Sequence, residues 1–476
     1  MDLGGNITTQ AALLPVEGRP AGTDHRTLVI FGASGDLSSR LLLPGLGSLL
    51  AGPRATSVRI IGTGRSDLAA EEWTDRVRSA FEVHGELGPV AAETLATTEY
   101  VAGDPTDPAH LRRLLELAGS APVLYFSLPP AVSTKIVETL RQVKLPDGTE
   151  LAFEKPFGTD SASAAELNKL VGSLVPEDRV HRVDHFLGRT AVLNLIGLRF
   201  ANRLFEQVWS AEHIQSVEIV YDETLGLEGR AQYYDNAGAL VDMIQSHLLL
   251  VLALLVMDAP ATMDAVEVRS EMARALRSTH LLRNSGVEAG RRARYTAGIA
   301  NDRVVPSYAD EAGVDAERET ETLAEVTVEV DTNRWAGVPF TLRSGKALGV
   351  ARKEIVVHFK PLRHLPSGLH GGRNGETLRI GLNPGELSLS VPALGVDGPY
   401  TMGQVFLDAT LPSSSVLPYG EVLSGILRGD PLLSVRGDVA ERCWEIVEPV
   451  LEAWRSAETP LEEYEAGSDG PAHWRV

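Results

Sequence analysis

The chain has 476 residues, of which 43% are hydrophobic and 23% are charged, a composition typical of globular proteins and not of disordered or fibrous ones. Its 44 basic and 64 acidic residues give a formal net charge of −20, which disfavours nucleic acids and anionic membranes as partners. Because Cys443 is the single cysteine, an intramolecular disulfide and a cysteine-rich metal site are excluded, and a reducing compartment such as the cytoplasm is expected.

The chain length and its apolar runs set the expected organisation. Two domains are expected, because a single hydrophobic core stops growing near ~250 to 300 residues. Residues 1–25 lack the basic start and apolar core of a secretory signal and are interpreted as a flexible tail. The longest apolar run, 248–257, is about half as long as a membrane-spanning helix requires, and it predicts a buried helix instead.

The first part of the chain alternates short apolar runs with helix-like stretches, which predicts a parallel sheet covered by helices. The predicted strands are 27–31, 58–61, 100–102, 123–128, 151–153 and 180–183. The predicted helices between them are 109–118, 131–144 and 161–171. Six strands in this arrangement predict a doubly wound sheet, whose strands carry ligand-binding residues at their carboxyl ends.

A candidate phosphate-binding turn follows the first predicted strand. It consists of Gly32, Ala33, Ser34, Gly35, Asp36 and Leu37. Such a turn presents backbone N–H groups at a helix N-terminus, where the helix dipole favours a dinucleotide pyrophosphate. Its spacing differs from G-x-G-x-x-G, so a tight turn without a ligand is the alternative.

Arg65 stands where the second predicted strand ends, and no carboxylate occupies the strand tip. A carboxylate at that point would hold the ribose hydroxyls of NAD, whereas an arginine suits the 2′-phosphate of NADP. The sequence therefore favours NADP, with a solvated loop cation as the alternative interpretation of Arg65.

Ionisable residues also follow the fifth and sixth predicted strands. Lys155 comes directly after Glu154 and would project toward nicotinamide and substrate in the crevice. A surface ion pair between the two is the alternative. His185 and Arg189 follow the sixth strand, and this density of charge at a strand end predicts anion binding.

After residue 185 the pattern changes to alternating apolar and polar residues, which predicts an antiparallel sheet. The predicted strands are 217–221, 324–330, 354–359, 378–382 and 387–391. Helical patterns over 238–257 and 439–454 flank them.

His247 lies where the buried helix begins, so its imidazole is partly desolvated and could act as a base near neutral pH. A structural core histidine is the more common outcome for such a residue. A late basic cluster could complete a phosphate or sugar pocket, with a solvated basic edge as the alternative. Its members are Arg343, Lys346, Arg352 and Lys353.

Taken in chain order, these residues resemble the glucose-6-phosphate dehydrogenase family over nearly the whole chain. The segments that carry the resemblance are 29–37, 151–158, 182–188, 195–204, 228–230, 242–247, 333–340 and 466–471. The pair Asp184-His185 and the triplet Glu154-Lys155-Pro156 are the most specific individual motifs. The number of ordered segments makes chance agreement negligible.

The resemblance implies an α/β plus α+β architecture, in which a Rossmann-like NADP-binding domain over 26–185 precedes a larger domain over 186–476 with a broad, mainly antiparallel sheet flanked by helices. The larger domain binds substrate and supports dimerisation. The implied reaction oxidises D-glucose 6-phosphate to 6-phospho-D-glucono-1,5-lactone with hydride transfer to NADP, as the first step of the oxidative pentose phosphate pathway. NAD is the weaker alternative coenzyme, and a cytoplasmic homodimer or homotetramer without metal, nucleic acid or membrane is expected.

The resemblance also implies roles for individual residues. His247 matches the general base, Asp184 matches the carboxylate that orients it, and Lys155 matches the lysine that bridges substrate and coenzyme. The implied substrate-binding residues are His185, Arg189, Glu223, Asp242, Lys346 and Arg352. The implied coenzyme-binding residues are Gly32, Ala33, Ser34, Gly35, Asp36, Leu37, Arg65 and Lys155.

The sequence departs from the family pattern near the predicted phosphate pocket. Phe186 replaces the usual tyrosine, which removes a hydroxyl contact worth about 0.5 to 1.5 kcal/mol. Arg189 and Thr190 replace a lysine and a glutamate, so the positive charge is retained. Lysines usual after the coenzyme turn are replaced by Ser38, Ser39 and Arg40. Two alternatives remain: a dehydrogenase of another hexose phosphate or free hexose, and a catalytically degenerate coenzyme-binding homologue.

Overall fold

A computed structural model describes residues 26–83, 85–371, 375–395, 398 and 400–474. The predicted tail over 1–25 lies outside the described residues. Within them the strands form a seven-stranded sheet, a ten-stranded sheet and a two-stranded hairpin. The predicted combination of an α/β layer with an α+β layer is confirmed.

The first sheet is formed mainly by the N-terminal part of the chain. Its elements are β1 (Arg26–Phe31), α1 (Leu43–Leu50), β2 (Val58–Gly64), α2 (Ala70–Glu82), α3 (Pro89–Ala96), β3 (Glu99–Ala102), α4 (Pro108–Ala118), β4 (Val123–Phe126), α5 (Pro130–Leu140), β5 (Glu150–Glu154), α6 (Ser161–Gly172) and β6 (Val180–Val183). The order β6-β5-β4-β1-β2-β3 is parallel throughout. This is the predicted doubly wound arrangement, and its strands are apolar because helices cover both faces.

One helix of this layer is shorter than predicted. The pattern over 131–144 indicates a helix, but α5 ends at Leu140. The N–H groups of Gln142 and Val143 donate to the carbonyls of Thr139 and Leu140, which are three residues back. These i→i+3 bonds replace the α-helical pattern and satisfy the last carbonyls of the helix. The α-helix therefore ends at Leu140.

The second sheet is formed by the rest of the chain. Its elements and those around it are α7 (Thr190–Phe200), α8 (Arg203–Val208), β7 (Ile214–Asp222), α9 (Ala231–Ala239), α10 (Leu249–Val256), α11 (Ala265–Arg277), β8 (Thr279–Leu281), α12 (Gly286–Ala289), β9 (Gly290–Thr296), β10 (Gly298–Ala300), β11 (Arg303–Val305), β12 (Leu323–Val330), β13 (Phe340–Gly345), β14 (Lys353–Phe359), β15 (Thr377–Gly381), β16 (Glu386–Leu394), β17 (Met402–Thr410), α13 (Pro418–Arg428), β18 (Ser434–Val435), α14 (Gly437–Arg455) and β19 (Leu461–Glu465).

The main path of this sheet is β17-β16-β15-β14-β7-β13-β12-β9-β19, with β8 beside β12. Most pairs are antiparallel, as predicted, but β7 pairs in parallel with β13 and β9 with β19. A parallel pair requires a crossover. The long connection from β7 to β13 includes the helices that carry His247, so the crossover positions this residue above the sheet.

The predicted helix over 238–257 is interrupted. Gly238 adopts φ +67°, which breaks the helix near the end of α9, and the chain continues as wide π-type turns over Leu240–Leu248 before α10 begins. Residues Ala231–Val256 are long and apolar enough to cross a membrane by length and composition alone, but 89% of their most apolar window is buried inside the protein. This burial confirms the prediction of a core helix over 248–257.

Three buried side chains hold the C-terminal end of α10. The guanidinium of Arg199 donates to the carbonyls of Leu254 and Met257, both at 2.7 Å. The indole N–H groups of Trp209 and Trp335 donate to the carbonyls of the two intervening residues at 2.9 and 2.8 Å. These donors satisfy carbonyls that lack partners within the helix, and the positive charge complements the helix dipole.

The C-terminal part of the chain returns to the first sheet. Strand β18 pairs antiparallel with β6, and α13 approaches α1 so closely that a Cβ on Gly45 would lie 2.5 Å from the Cβ of Tyr419. Trp444 in α14 donates to the carbonyl of Phe157 at 3.0 Å. Residues 418–435 therefore pack with the N-terminal layer, and the domain division at residue 185 stays a prediction.

Candidate active site

A histidine and an aspartate from the two layers form a buried pair. Asp184 follows β6 and His247 lies in the π-type turns before α10. The Nδ1 of His247 is 2.6 and 2.8 Å from the two carboxylate oxygens of Asp184. The backbone N–H of Phe186 also donates to Asp184, at 3.0 Å. An ionised carboxylate only accepts, so Nδ1 carries the proton and Nε2 is left as an acceptor.

Burial and charge set the protonation of this pair. Burial lowers the pKa of His247, an effect that Asp184 opposes and that Lys155 reinforces. Burial alone would raise the pKa of Asp184, but the charge and hydrogen bond of His247 hold it well below its usual value. At neutral pH the pair therefore consists of a carboxylate and a neutral imidazole, which can accept a proton at Nε2.

Two rings pack against the imidazole of His247. Phe186 stacks on it with a centroid distance of 4.1 Å and an interplanar angle of 11°, and His185 meets it edge-on at 4.9 Å. His185 also stacks on Tyr419. Burial and then the charge of His247 lower the pKa of His185 well below its usual value. Without a bound anion His185 is therefore neutral, and its ring N–H can donate a hydrogen bond to one.

Arg189 lies beside these rings without an anionic partner among the described residues. Its guanidinium carbon is 4.4 Å from the centroid of Phe186, and its buried Nε has no hydrogen-bond partner in the described part of the chain. A buried donor without a partner is costly. A phosphate oxygen would satisfy it, which supports the predicted anion-binding role.

Lysines and carboxylates alternate on the other side of the pair. Lys155 donates to the backbone carbonyl of Asp242, and its Nζ is 3.6 Å from the Asp242 carboxylate. Lys346 donates to Glu223 at 2.7 Å, and Lys353 is 3.8 Å from the same carboxylate. Burial would raise the pKa of Asp242, but Lys155 and Lys346 lower it. Such alternating donors and acceptors match the hydroxyl groups of a sugar.

Arg352, predicted to bind substrate, is not part of this cluster. Its guanidinium is 3.5 Å from Glu218 and 3.2 Å from Glu354, in a cavity of about 790 Å³. Successive residues of a strand point to opposite faces, and its neighbour Lys353 points to the cluster, 4.8 Å above the ring of Tyr221. The structure thus places Lys353, and not Arg352, beside Glu223, and the substrate-binding role of Arg352 stays a prediction.

Glu154 is a further member of the site that the sequence did not indicate. It is buried and accepts hydrogen bonds from Tyr125 and, at 3.3 Å, from Tyr419. Burial raises its pKa to about 7, against the opposing effect of these hydrogen bonds. The network fixes the end of β5, from which Lys155 projects. Tyr419 lies 265 residues away, and no local pattern marks this contact.

The predicted coenzyme turn connects β1 to the following helix. Gly32 adopts φ +79°, and a Cβ there would lie 2.4 Å from the carbonyl oxygen of Ser127, so only glycine fits. The helix begins at Asp36, whose carboxylate forms an exposed ion pair with Arg40 at 2.7 Å. Ala33, Ser34 and Gly35 lie between, and Leu37 is in the first helical turn. This strand, glycine turn and helix N-terminus fit a dinucleotide pyrophosphate.

Two arginines lie near this turn. Arg65 is exposed at the end of β2 and has no ion-pair partner among the residues described. Arg76 of α2, which the sequence did not indicate, donates to the carbonyl of Ser34 at 2.9 Å. Both can reach an anion beside the turn, so the chain's own residues fit a coenzyme that carries a 2′-phosphate.

A metal ion is not needed to explain the central cluster. The ligand atoms of Asp184, His185 and His247 lie within 4.8 Å of one another, which is a spacing that metal sites also show. However, the contact between His247 and Asp184 has hydrogen-bond length. The arrangement is that of a base held by a carboxylate.

The sequence matches two family models. The one described as "Glucose-6-phosphate dehydrogenase, NAD binding domain" covers residues 29–194, and the one described as "Glucose-6-phosphate dehydrogenase, C-terminal domain" covers residues 196–475. The glucose-6-phosphate 1-dehydrogenase of Gluconobacter oxydans is 40% identical over 463 residues, which is 93% of this chain and 94% of that protein.

Solved structures give the same result. The glucose-6-phosphate 1-dehydrogenase of Mycobacterium avium has a TM-score of 0.82 at 32% identity, over 94% of this chain and 95% of that one. A glucose-6-phosphate dehydrogenase in complex with glucose 6-phosphate has a TM-score of 0.84 at 28% identity, over 95% and 96% of the two chains. Since both halves of the chain match the same family, this protein belongs to the glucose-6-phosphate dehydrogenase family.

Proposed function

We propose that this protein oxidises carbon 1 of D-glucose 6-phosphate and transfers the hydride to NADP, giving 6-phospho-D-glucono-1,5-lactone, the first reaction of the oxidative pentose phosphate pathway. The observation that carries the proposal is the buried pair of His247 and Asp184, bonded at 2.6 Å, beside a group of lysines, an arginine and carboxylates. A degenerate homologue would not be expected to retain both the base and the group that orients it.

His247 is the proposed general base. Its Nε2 takes the proton of the anomeric hydroxyl, and the charged imidazolium that results is stabilised by Asp184. The two bonds to Asp184 prevent rotation of the ring, so Nε2 points to one place in the site. NADP, when bound, supplies the acceptor for the hydride that leaves carbon 1.

The remaining charged residues bind the substrate and the coenzyme. Asp242 and Glu223 can accept hydrogen bonds from sugar hydroxyls, while Lys155 and Lys346 can donate to sugar oxygens. We assign the substrate phosphate to His185, Arg189 and Lys353. Arginine binds phosphate in a fork, which compensates for the hydroxyl that Phe186 lacks. Lys155, which follows β5, lies beside Asp242 and is proposed to bridge substrate and coenzyme.

The coenzyme is proposed to lie across the carboxyl ends of β1 and β2. The turn from Gly32 to Gly35 would hold the pyrophosphate, and Arg65 would hold the 2′-phosphate of NADP. The exposed position of Arg65 leaves it available for a ligand. NAD lacks this phosphate, so it is the weaker coenzyme.

A homodimer or homotetramer in the cytoplasm is proposed for the assembled form. Strand β17 ends the second sheet, and its residues Val405, Phe406 and Leu407 are 44, 60 and 57% exposed. Three consecutive apolar side chains on an exposed edge strand support contact with a second copy of the chain. The buried free thiol of Cys443 is consistent with a reducing compartment.

The activity and the base are tested together. The purified protein mixed with glucose 6-phosphate and NADP is expected to produce reduced coenzyme. The absorbance of the reduced coenzyme measures the rate. His247→Asn is expected to lower kcat by about 10²- to 10⁴-fold, with KM for glucose 6-phosphate within about threefold, because the asparagine leaves the binding groups in place. His280→Asn is the control, since this histidine lies on β8 away from the site.

No activity of the wild type with any of glucose 6-phosphate, other hexose phosphates and free glucose would refute the enzyme proposal. A preference for free glucose would instead support the alternative substrate class. If His247→Asn retained most of the activity, the assignment of the base would be wrong.

The pH dependence of kcat/KM follows from the pKa of the base. His247 must be neutral to accept a proton, and burial lowers its pKa below the usual 6.5. The acidic limb of the profile is therefore expected below pH 6.5. Asp184 raises this pKa, so Asp184→Asn is expected to move the limb to lower pH and to lower kcat by about 10⁴-fold. An acidic limb above 6.5 in the wild type would contradict this prediction.

The coenzyme preference depends on Arg65. Arg65→Ala is expected to raise KM for NADP by about 10- to 100-fold, because the loss of one hydrogen bond to a charged group weakens binding by about this factor. KM for NAD is expected to change less than about twofold, because NAD has no phosphate for this side chain. Arg59→Ala, on the same strand but paired with Glu99, is the control. An equal effect on both coenzymes would exclude phosphate recognition by Arg65.

The assembly is tested by light scattering of the protein eluting from a sizing column. The wild type is expected at two or four times the mass of the chain, and Phe406→Glu is expected to shift the mass toward that of the monomer, because a charge would be buried in the contact. The control is Val304→Glu, which places the same charge on an 84% exposed residue of the β10–β11 hairpin. This variant is expected to keep the mass of the wild type. A monomeric wild type would refute the proposed contact.

A further inference from the structure

Glu321 lies two residues before β12 and contacts the chain just after Gly238, where the helical segment that carries His247 begins. Its backbone carbonyl accepts from the N–H of Ala239 at 3.3 Å. Its carboxylate accepts from the N–H of Leu240 at 2.9 Å. One residue thus satisfies two successive N–H groups that have no partner in the preceding helix.

The space for this carboxylate is created by Gly238. This residue has φ +67°, and a Cβ on it would lie 2.3 Å from Oε1 of Glu321 and 2.6 Å from Oε2. The left-handed backbone breaks the helix and frees the N–H groups of Ala239 and Leu240. The missing side chain leaves room for the carboxylate of Glu321. The helix break at Gly238 and the acceptor that satisfies it therefore depend on each other.

The same segment is bonded to three parts of the chain around the candidate site. The hydroxyl of Thr320 donates to the carbonyl of Asp235 in α9 at 2.8 Å. The carbonyl of Thr322 accepts from the backbone N–H of Lys346 at 2.9 Å. Glu321 lies between them and holds Leu240, which precedes Asp242 by two residues. Residues 320–322 therefore connect the two sides of the site that face a sugar.

Retaining an acid at this position is costly. Glu321 is buried, burial raises its pKa to about 7 against the opposing effect of backbone N–H groups and of Arg292, and it has no ion pair within the described part of the chain. An apolar side chain would avoid this desolvation cost. A buried polar group without a cationic partner is retained where it specifies one arrangement of the backbone.

We propose that Glu321 is a positioning residue for substrate binding: its carboxylate fixes where the helix that carries Asp242 begins, and thereby fixes Asp242 relative to Lys346. The inference deepens the proposed function and rests on it. His247 is seven residues from Leu240 and is held independently by Asp184. The carboxylate of Glu321 therefore acts mainly on binding and only weakly on the chemical step.

The test compares kinetics of Glu321→Ala and Glu321→Gln with those of the wild type. Glu321→Ala is expected to raise KM for glucose 6-phosphate by about tenfold, because a shift of a fraction of an ångström misplaces Asp242. Its kcat is expected to change less than about threefold. Glu321→Gln retains an acceptor of the same shape and is expected to restore KM to within about threefold of the wild type.

The control is Glu319→Gln, which removes a carboxylate from the same segment. Its side chain is 58% exposed, and both kinetic constants are expected to stay unchanged. If Glu321→Ala folds poorly, Glu321→Asp gives the same test, because the shorter side chain withdraws the acceptor from the N–H of Leu240 and is expected to raise KM in the same direction.

An unchanged KM in Glu321→Ala together with a lower melting temperature would show a structural role only and would overturn the proposal. A KM in Glu321→Gln as high as in Glu321→Ala would also overturn it, since an acceptor alone would then be insufficient. Failure of the proposed function is distinct, because in that case the wild type itself would not turn over glucose 6-phosphate with NADP.

Discussion

The hydrogen bond between Asp184 and His247 constrains the rest of the structure, because its two partners come from different layers and both are buried. Burial disfavours the charged carboxylate, and the contact with the imidazole, together with the N–H of Phe186, offsets this cost. The end of β6 must therefore meet the turns before α10 within hydrogen-bond distance. The return of α13, β18 and α14 to the first layer helps to fix this docking.

A second constraint is electrostatic. The chain carries a formal charge of −20, yet its site must receive an anionic sugar phosphate and an anionic coenzyme. The structure concentrates cations locally, and Lys155 and Lys346 each lie beside a carboxylate. These pairs keep the lysines in place before substrate binds. Arg189 has no such partner among the described residues, so it is the cation most available to a phosphate.

The helix that carries the base is held at both ends. At its C-terminal end, Arg199 and two tryptophans bind the carbonyls of residues 254–257. At its start, Glu321 binds the N–H groups freed by Gly238. The wide π-type turns lie between, and such turns occur often at functional sites because they redirect side chains. The arrangement orients Asp242 and His247 toward the same space without relying on regular helical geometry.

The sequence by itself determined the alternation of strands and helices in the first sheet, the glycine turn, and the polar residues at the ends of β5 and β6, because these depend on local periodicity and turn chemistry. Together with the resemblance, it also identified the base and its carboxylate. Only the tertiary structure decided that Lys353 and not Arg352 lies beside Glu223, that Tyr419 contacts Glu154 and Arg76 contacts the coenzyme turn, and that Gly238 breaks the helix beside Glu321. These features depend on strand facing and on contacts between residues far apart in the chain, which no local pattern encodes.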